Sequence, residues 1–136
     1  MQANNSNVSA TSIFANVTTT ETNIANVTFI LYNATAQVNV TTFSDSTRSF
    51  TWTGLPNAVY TFNVSIRDTL NQVNITNTYR ITLDTTAPVV SISYPANQTY
   101  TTSVNQFNFS VSDLTLTTCK WTNESGVNNY TVSCSA

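Results

Sequence analysis

Twelve asparagines in this 136-residue chain stand two positions before a serine or threonine: Asn4, Asn7, Asn16, Asn26, Asn33, Asn39, Asn63, Asn74, Asn97, Asn108, Asn123 and Asn129. Asn-x-Ser/Thr without a middle proline is the acceptor triplet for N-linked glycosylation, a bond made to the side-chain amide nitrogen. The chain has nineteen asparagines. With Ser or Thr at roughly one position in three, about six such triplets would arise by chance. The placement says more than the number. In AN16VT, AN26VT, VN39VT, FN63VS, VN74IT and FN108FS the asparagine lies between two apolar residues. In a strand, neighbours that point inward send the residue between them outward, together with the Ser or Thr two positions on. A glycan fits there, and an unmodified amide is solvated there. An uncharged polar surface without sugar is the alternative on the same fold.

The other reactive groups are few. Cys119 and Cys134 are the only cysteines. Each shares a strand face with an aromatic, and a disulfide between them closes a loop of about fifteen residues, worth roughly 3 kcal/mol in the chain-entropy model. Two buried thiols are the alternative. There is no histidine, so nucleophilic catalysis lacks its usual base, and two cysteines cannot close a zinc tetrahedron. The acids are Glu21, Asp45, Asp68, Asp84, Asp113 and Glu124. Most fall at strand ends and turns, where Asp is expected for backbone reasons. Calcium at Asp68, Asp84 and Asp113 would need six to eight oxygens from a sparse set of acids. No enzyme activity, metal or cofactor is expected. Trp52 and Trp121 could form a sugar-stacking platform, but both occupy inward strand positions, which favours core packing.

Composition narrows the partners. Charged residues are 7% of the chain against 40% hydrophobic, and the formal net charge is -2. Four scattered cations, Arg48, Arg67, Arg80 and Lys120, offer a nucleic acid no phosphate-binding surface. No apolar run is long enough to span a membrane as a helix. The polar start MQANNSNVSA lacks the regions of a signal peptide, so an export signal or anchor is expected outside this segment.

Positioning these groups falls to strands. Period-two alternation dominates, without sustained helical spacing. Strands are expected near 12–19, 24–32, 37–43, 47–53, 58–68, 73–84, 88–94, 104–113, 116–122 and 128–134. Tyr60, Phe62, Val64 and Ile66 form one core face, and Val27, Phe29 and Leu31 another. With only Gly54 and Gly126 in the chain, asparagine and aspartate are expected at positive φ. Pro88 suits the start of an edge strand after a short linker.

The run TGLPNAVYTFNVSIRDTLNQVNITNTYRITLDTTAPVVSI, residues 53–92, resembles the junction between consecutive immunoglobulin-like domains in repeated surface proteins of archaea and bacteria. Leu55, Pro56, Tyr60, Phe62, Val64, Asp68, Leu83, Asp84, Thr85, Thr86 and Pro88 carry the resemblance. It implies an all-β, antiparallel immunoglobulin-like β-sandwich: an extended tail at 1–12, a complete domain at 13–86, and a second sandwich, two or three strands short, at 87–136. It further implies a structural segment of an extracellular surface glycoprotein, such as an S-layer, an adhesin stalk or a head-to-tail filament. Its partners would be its own copies or neighbouring surface domains, with covalent N-glycans. The second domain's open core around Phe107, Phe109, Val111 and Trp121 would then call for a partner, and residues 4–17 could be donated to a neighbour as a strand. A carbohydrate-binding accessory module of a secreted enzyme is the alternative, and it requires exposed, coplanar aromatics.

Overall fold

The computed structural model describes residues 3–45, 47–123 and 128–134 and contains strands without helices among them. The strands are β1 (Ser6–Val8), β2 (Ile13–Asn16), β3 (Ile24–Tyr32), β4 (Gln37–Phe43), β5 (Ser49–Trp52), β6 (Ala58–Asp68), β7 (Val73–Ile75), β8 (Tyr79–Leu83), β9 (Val89–Tyr94), β10 (Asn108–Ser112), β11 (Cys119–Asn123) and β12 (Asn128–Val132). They divide into two compact units, Met1–Thr85 and Thr86–Ala136.

In the first unit a sheet ordered β1-β8-β6-β3-β4, with β7 also on β6, packs against the two-stranded pair β2-β5. Alternation sets what each sheet buries. Val27, Phe29 and Leu31 of β3, and Tyr60, Phe62 and Val64 of β6, are at most 3% exposed. Ile13, Ala15 and Trp52 meet them from the opposite sheet. The Trp52 ring lies 5.6 Å from Phe62 and 6.4 Å from Phe29, so the sheets are joined by aromatic contact. Each fully buried large side chain contributes about 1.5–3 kcal/mol relative to exposure, and eight residues of this core, Phe29 and Phe62 the largest, are less than 2% exposed.

The turns follow from local chemistry. Asn5 and Asn71 take positive φ (59° and 66°), beside Gly54 at 68°. Asp68 Oδ1 accepts hydrogen bonds from the N–H groups of Leu70 and Gln72 and shapes the β6–β7 turn. At the other end of β6, the Tyr60 hydroxyl donates to the Pro56 carbonyl at 2.9 Å, tying the strand to the turn before it.

Two details go beyond the expected strands. Within the segment expected as an extended N-terminal tail, β1 pairs in parallel with β8 of its own chain, Ser6 opposite Ile81 and Val8 opposite Leu83. Asn5 N donates to Arg80 O and Asp84 N to Val8 O, so this backbone is satisfied in cis and Val8 packs on the core. The single strand expected over 73–84 is two, because Thr76 interrupts the ladder: its hydroxyl accepts from Val64 N and donates to Asn77 O.

In the second unit β9 pairs with β10, and β11 with β12, both antiparallel. Cys119 and Cys134 form a disulfide with their Cα atoms 5.3 Å apart. β9 begins directly after Pro88.

Candidate glycan-acceptor sites and the apolar face of the second unit

The structure sorts the twelve acceptors by strand position. Asn4, Asn33 and Asn97 lie in turns or connections and are exposed. Asn7, Asn16, Asn39, Asn74, Asn108 and Asn129 are exposed on β1, β2, β4, β7, β10 and β12. Each of those strands has at least one side without a neighbouring strand. Asn26 and Asn63 lie on the interior strands β3 and β6 and are half-buried. Asn123 ends β11, but its side chain lies outside the described residues.

Exposure arises in two different ways. Asn16 follows the alternation, with buried Ala15 and Val17 on either side. Asn39 and Asn74 reverse it. Asn39 is registered opposite Leu31 and Asn74 opposite Ile66, so both stand on the core side of the large sheet. Their neighbours Val38, Val40, Val73 and Ile75 are 43–57% exposed on its outer side. Width is the reason. Strands are spaced about 4.8 Å apart, so the pair β2-β5 cannot cover the whole width of the larger sheet, and the inner-face positions of Asn39 on β4 and Asn74 on β7 are left in solvent. At those positions the chain carries asparagine. Asn39 Oδ1 accepts from Trp52 Nε1 (3.1 Å) and Thr41 Oγ1 (2.8 Å), which leaves its amide nitrogen directed away from the core indole.

Asn63 faces outward as the alternation requires, yet it is not freely solvated. It sits opposite Ile30 where the neighbour of β6 changes from β8 to β7. Its Oδ1 is buried and has no hydrogen-bond partner. An outward face on an interior strand is not the same as an open one.

No family model, curated protein or solved structure matches this chain. Its site chemistry is therefore read from its own geometry.

The carboxylates are engaged locally. Asp68 and Asp84 lie at opposite ends of the antiparallel β6–β8 pair, and Asp113 belongs to the second unit. Asp84 Oδ1 accepts from Asn57 Nδ2 at 3.2 Å, and Asp113 Oδ1 accepts from Thr115 N and Oγ1. Asp68 and Asp84 do not converge, and the described residues contain no cluster of three or more His, Cys, Asp or Glu able to hold a metal. Asp45 is held below the ordinary carboxylate range chiefly by hydrogen bonds from Thr47. Burial raises the Tyr60 phenol above its ordinary value of 10.0.

Trp52 is 4% exposed and spends its N–H on Asn39. Trp121 is half-buried in the second unit, stacked on Tyr130 (4.7 Å between centroids) and on Phe107 (5.9 Å). These rings face one another and do not form a coplanar row toward solvent. Trp121 and Phe107, with Val90, Ile92, Phe109 and Val111, border an open apolar groove of about 690 Å³. β9 stays exposed: Val89, Val90 and Ile92 retain 59–65% of their surface.

Two features escaped sequence reasoning. Asn57 clasps the start of the linker, with Oδ1 accepting from both the N–H and the hydroxyl of Thr85 while Nδ2 holds Asp84. The available signal was an asparagine in the Gly-Leu-Pro turn that is not part of an acceptor triplet. The second is a groove of about 490 Å³ beside β7, for which the sequence offered no signal because it joins residues 17–21 to residues 64–76.

Proposed function

We propose that this chain is a structural segment of an extracellular surface glycoprotein, built from immunoglobulin-like sandwich modules in series and coated with N-linked glycans. The observation that carries the reading is the distribution of acceptors: nine of the twelve are exposed in the folded chain, six of them on strands with an open side. Open strand edges are normally guarded by charge or proline, and this chain has 7% charged residues and three prolines. Hydrated glycans would supply the missing protection and solubility.

Three features support the immunoglobulin-like assignment of the first unit. The order β1-β8-β6-β3-β4 faces β2-β5, as in a two-sheet sandwich in which early and late strands interleave. The first strand pairs in parallel with the last. The Tyr60 hydroxyl on the Pro56 carbonyl has the form of a tyrosine corner at the start of the penultimate long strand. The disulfide suits an oxidising compartment, and no helix among the described residues is long and apolar enough to cross a membrane.

Mechanically, such a module spaces or displays what lies beyond it. Self-association through the open apolar face of the second unit suits a serial assembly. Donation of the N-terminal segment to a neighbour would require β1 to leave its pairing with β8. The test is glycopeptide mass spectrometry on the chain secreted from an N-glycosylating host. Glycan on several exposed acceptors is expected; a chain secreted folded with no acceptor occupied would end the reading.

A further inference from the structure

We infer that the groove beside β7 seats the first sugars of a glycan on Asn74, making this acceptor a structural graft on the sandwich and not part of its outer coat. The inference rests on the glycoprotein reading above and goes on to assign one glycan a binding site within its own chain.

Asn74 is the exposed acceptor that lines this groove; Asn16 lines a separate hollow of about 330 Å³ that shares Val17, Thr18, Val64 and Thr76 with it. Asn74 belongs to a three-residue edge strand and is registered opposite Ile66, on the side of the sheet that faces β2 and the segment following it. That side is incompletely covered, and the gap is the groove of about 490 Å³, which Asn74 itself lines. The size falls within the range of about 300–1,000 Å³ that holds small ligands.

The lining is two-sided in chemistry. Val17 and Val64, 8% and 3% exposed, and Ile66, packed on the core, supply an apolar base. Thr18, Gln72 and Thr76 supply hydroxyl and amide groups at less buried positions. Glu21 and Asp68 also line the groove, and a pyranose, with a C–H face and a rim of hydroxyls, matches an apolar base flanked by such polar groups.

The acceptor is also oriented. Asn74 Oδ1 accepts from the N–H of Ile75 at 2.9 Å, which fixes the amide plane. Its nitrogen, the atom that carries the sugar, makes no hydrogen bond among the described residues. A covalently attached ligand starts within reach, so its effective concentration at the groove is high and modest contacts suffice to hold it. Asn39, the other inward-facing acceptor, has its amide oxygen tied to Trp52 and does not line this groove.

The experiment uses the full chain from a glycosylating host and from one that does not glycosylate, with Asn74→Gln compared against Asn7→Gln, an exposed acceptor on β1. Thr76 is left intact, because its hydroxyl serves Val64 N and its loss would confuse the result. In glycosylated protein, Asn74→Gln is expected to lower Tm by several degrees and to speed hydrogen exchange at residues 17–21 and 72–76, while Asn7→Gln does neither. In unglycosylated protein the two variants should match the parent. Glycan present on Asn74 with no difference between the variants overturns the proposal. So does an unoccupied Asn74 beside occupied neighbours, an outcome that leaves the glycoprotein reading standing. An absence of glycan at every site would remove both.

Discussion

At the scale of single residues, the outward-facing amide of Asn63 shows that direction and solvation are separate properties. A buried oxygen without a partner costs about 1–3 kcal/mol, and Asn63 Oδ1 is in that state on the middle strand of the large sheet. Replacing Asn63 by valine removes the orphan group and improves strand propensity. The expected result is a gain of about 1–2 kcal/mol in unglycosylated protein, read from the urea midpoint at unchanged m-value. Tyr60 acts in the opposite sense. Tyr60→Phe deletes the hydrogen bond to the Pro56 carbonyl and should cost about 0.5–1.5 kcal/mol. Burial raises the folded-state pKa of this phenol, so the unfolded chain ionises first as pH rises. Its contribution is complete below the unfolded pKa near 10 and is lost as pH climbs from there through the folded value. Denaturation curves between pH 9 and 11 should fall more steeply for the parent than for Tyr60→Phe.

At the scale of elements, the two units differ in what holds them. The first has a core of two facing sheets with thirteen buried hydrophobic residues. The second is two strand pairs with an apolar groove open to solvent and one disulfide. Replacing both Cys119 and Cys134 by serine should therefore destabilise the second unit by about 3 kcal/mol and leave the first unaffected. Hydrogen exchange resolved by residue would check this: protection should fall in β9 to β12 and persist in β3 and β6. Equal loss in both units would show that they fold as one.

At the scale of the whole chain, the parallel pairing of β1 with β8 bears on a serial scaffold. The first and last strands of the first unit are neighbours running the same way. Tension applied at the two ends of that unit loads their hydrogen bonds together in shear instead of opening them one at a time. Asn57 reinforces the exit by holding Asp84 and Thr85. Single-molecule pulling on the full chain should show an unfolding step for this unit, about 25 nm long from roughly 75 residues. Removing residues 1–8 should lower its force markedly while later strands still fold. An unchanged force would mean that resistance lies elsewhere in the sandwich.

Much of this was legible beforehand because a period of two is local information. The alternation in VYTFNVSI and NVTFIL identified strands and their core faces, and Asp68, Asn71 and Pro88 marked where strands end or begin. The cysteine pair was legible for the same reason, being close in sequence, with Cys119 opening β11 and Cys134 just past the end of β12. What only the tertiary structure decided is which faces were covered. VN39V and VN74I read like FN63V in sequence, yet the first two acceptors stand on the core side and the third on the outer side. The cause is the number of strands on the opposite sheet, and no short stretch of the chain encodes it. The docking of residues 6–8 in their own sandwich was equally out of reach, because its partner lies some seventy-five residues away. Local pattern determined that each segment would be a strand with an apolar face. Long-range pairing determined whether that face met another sheet or water, and so which asparagines are open to modification and which are sealed.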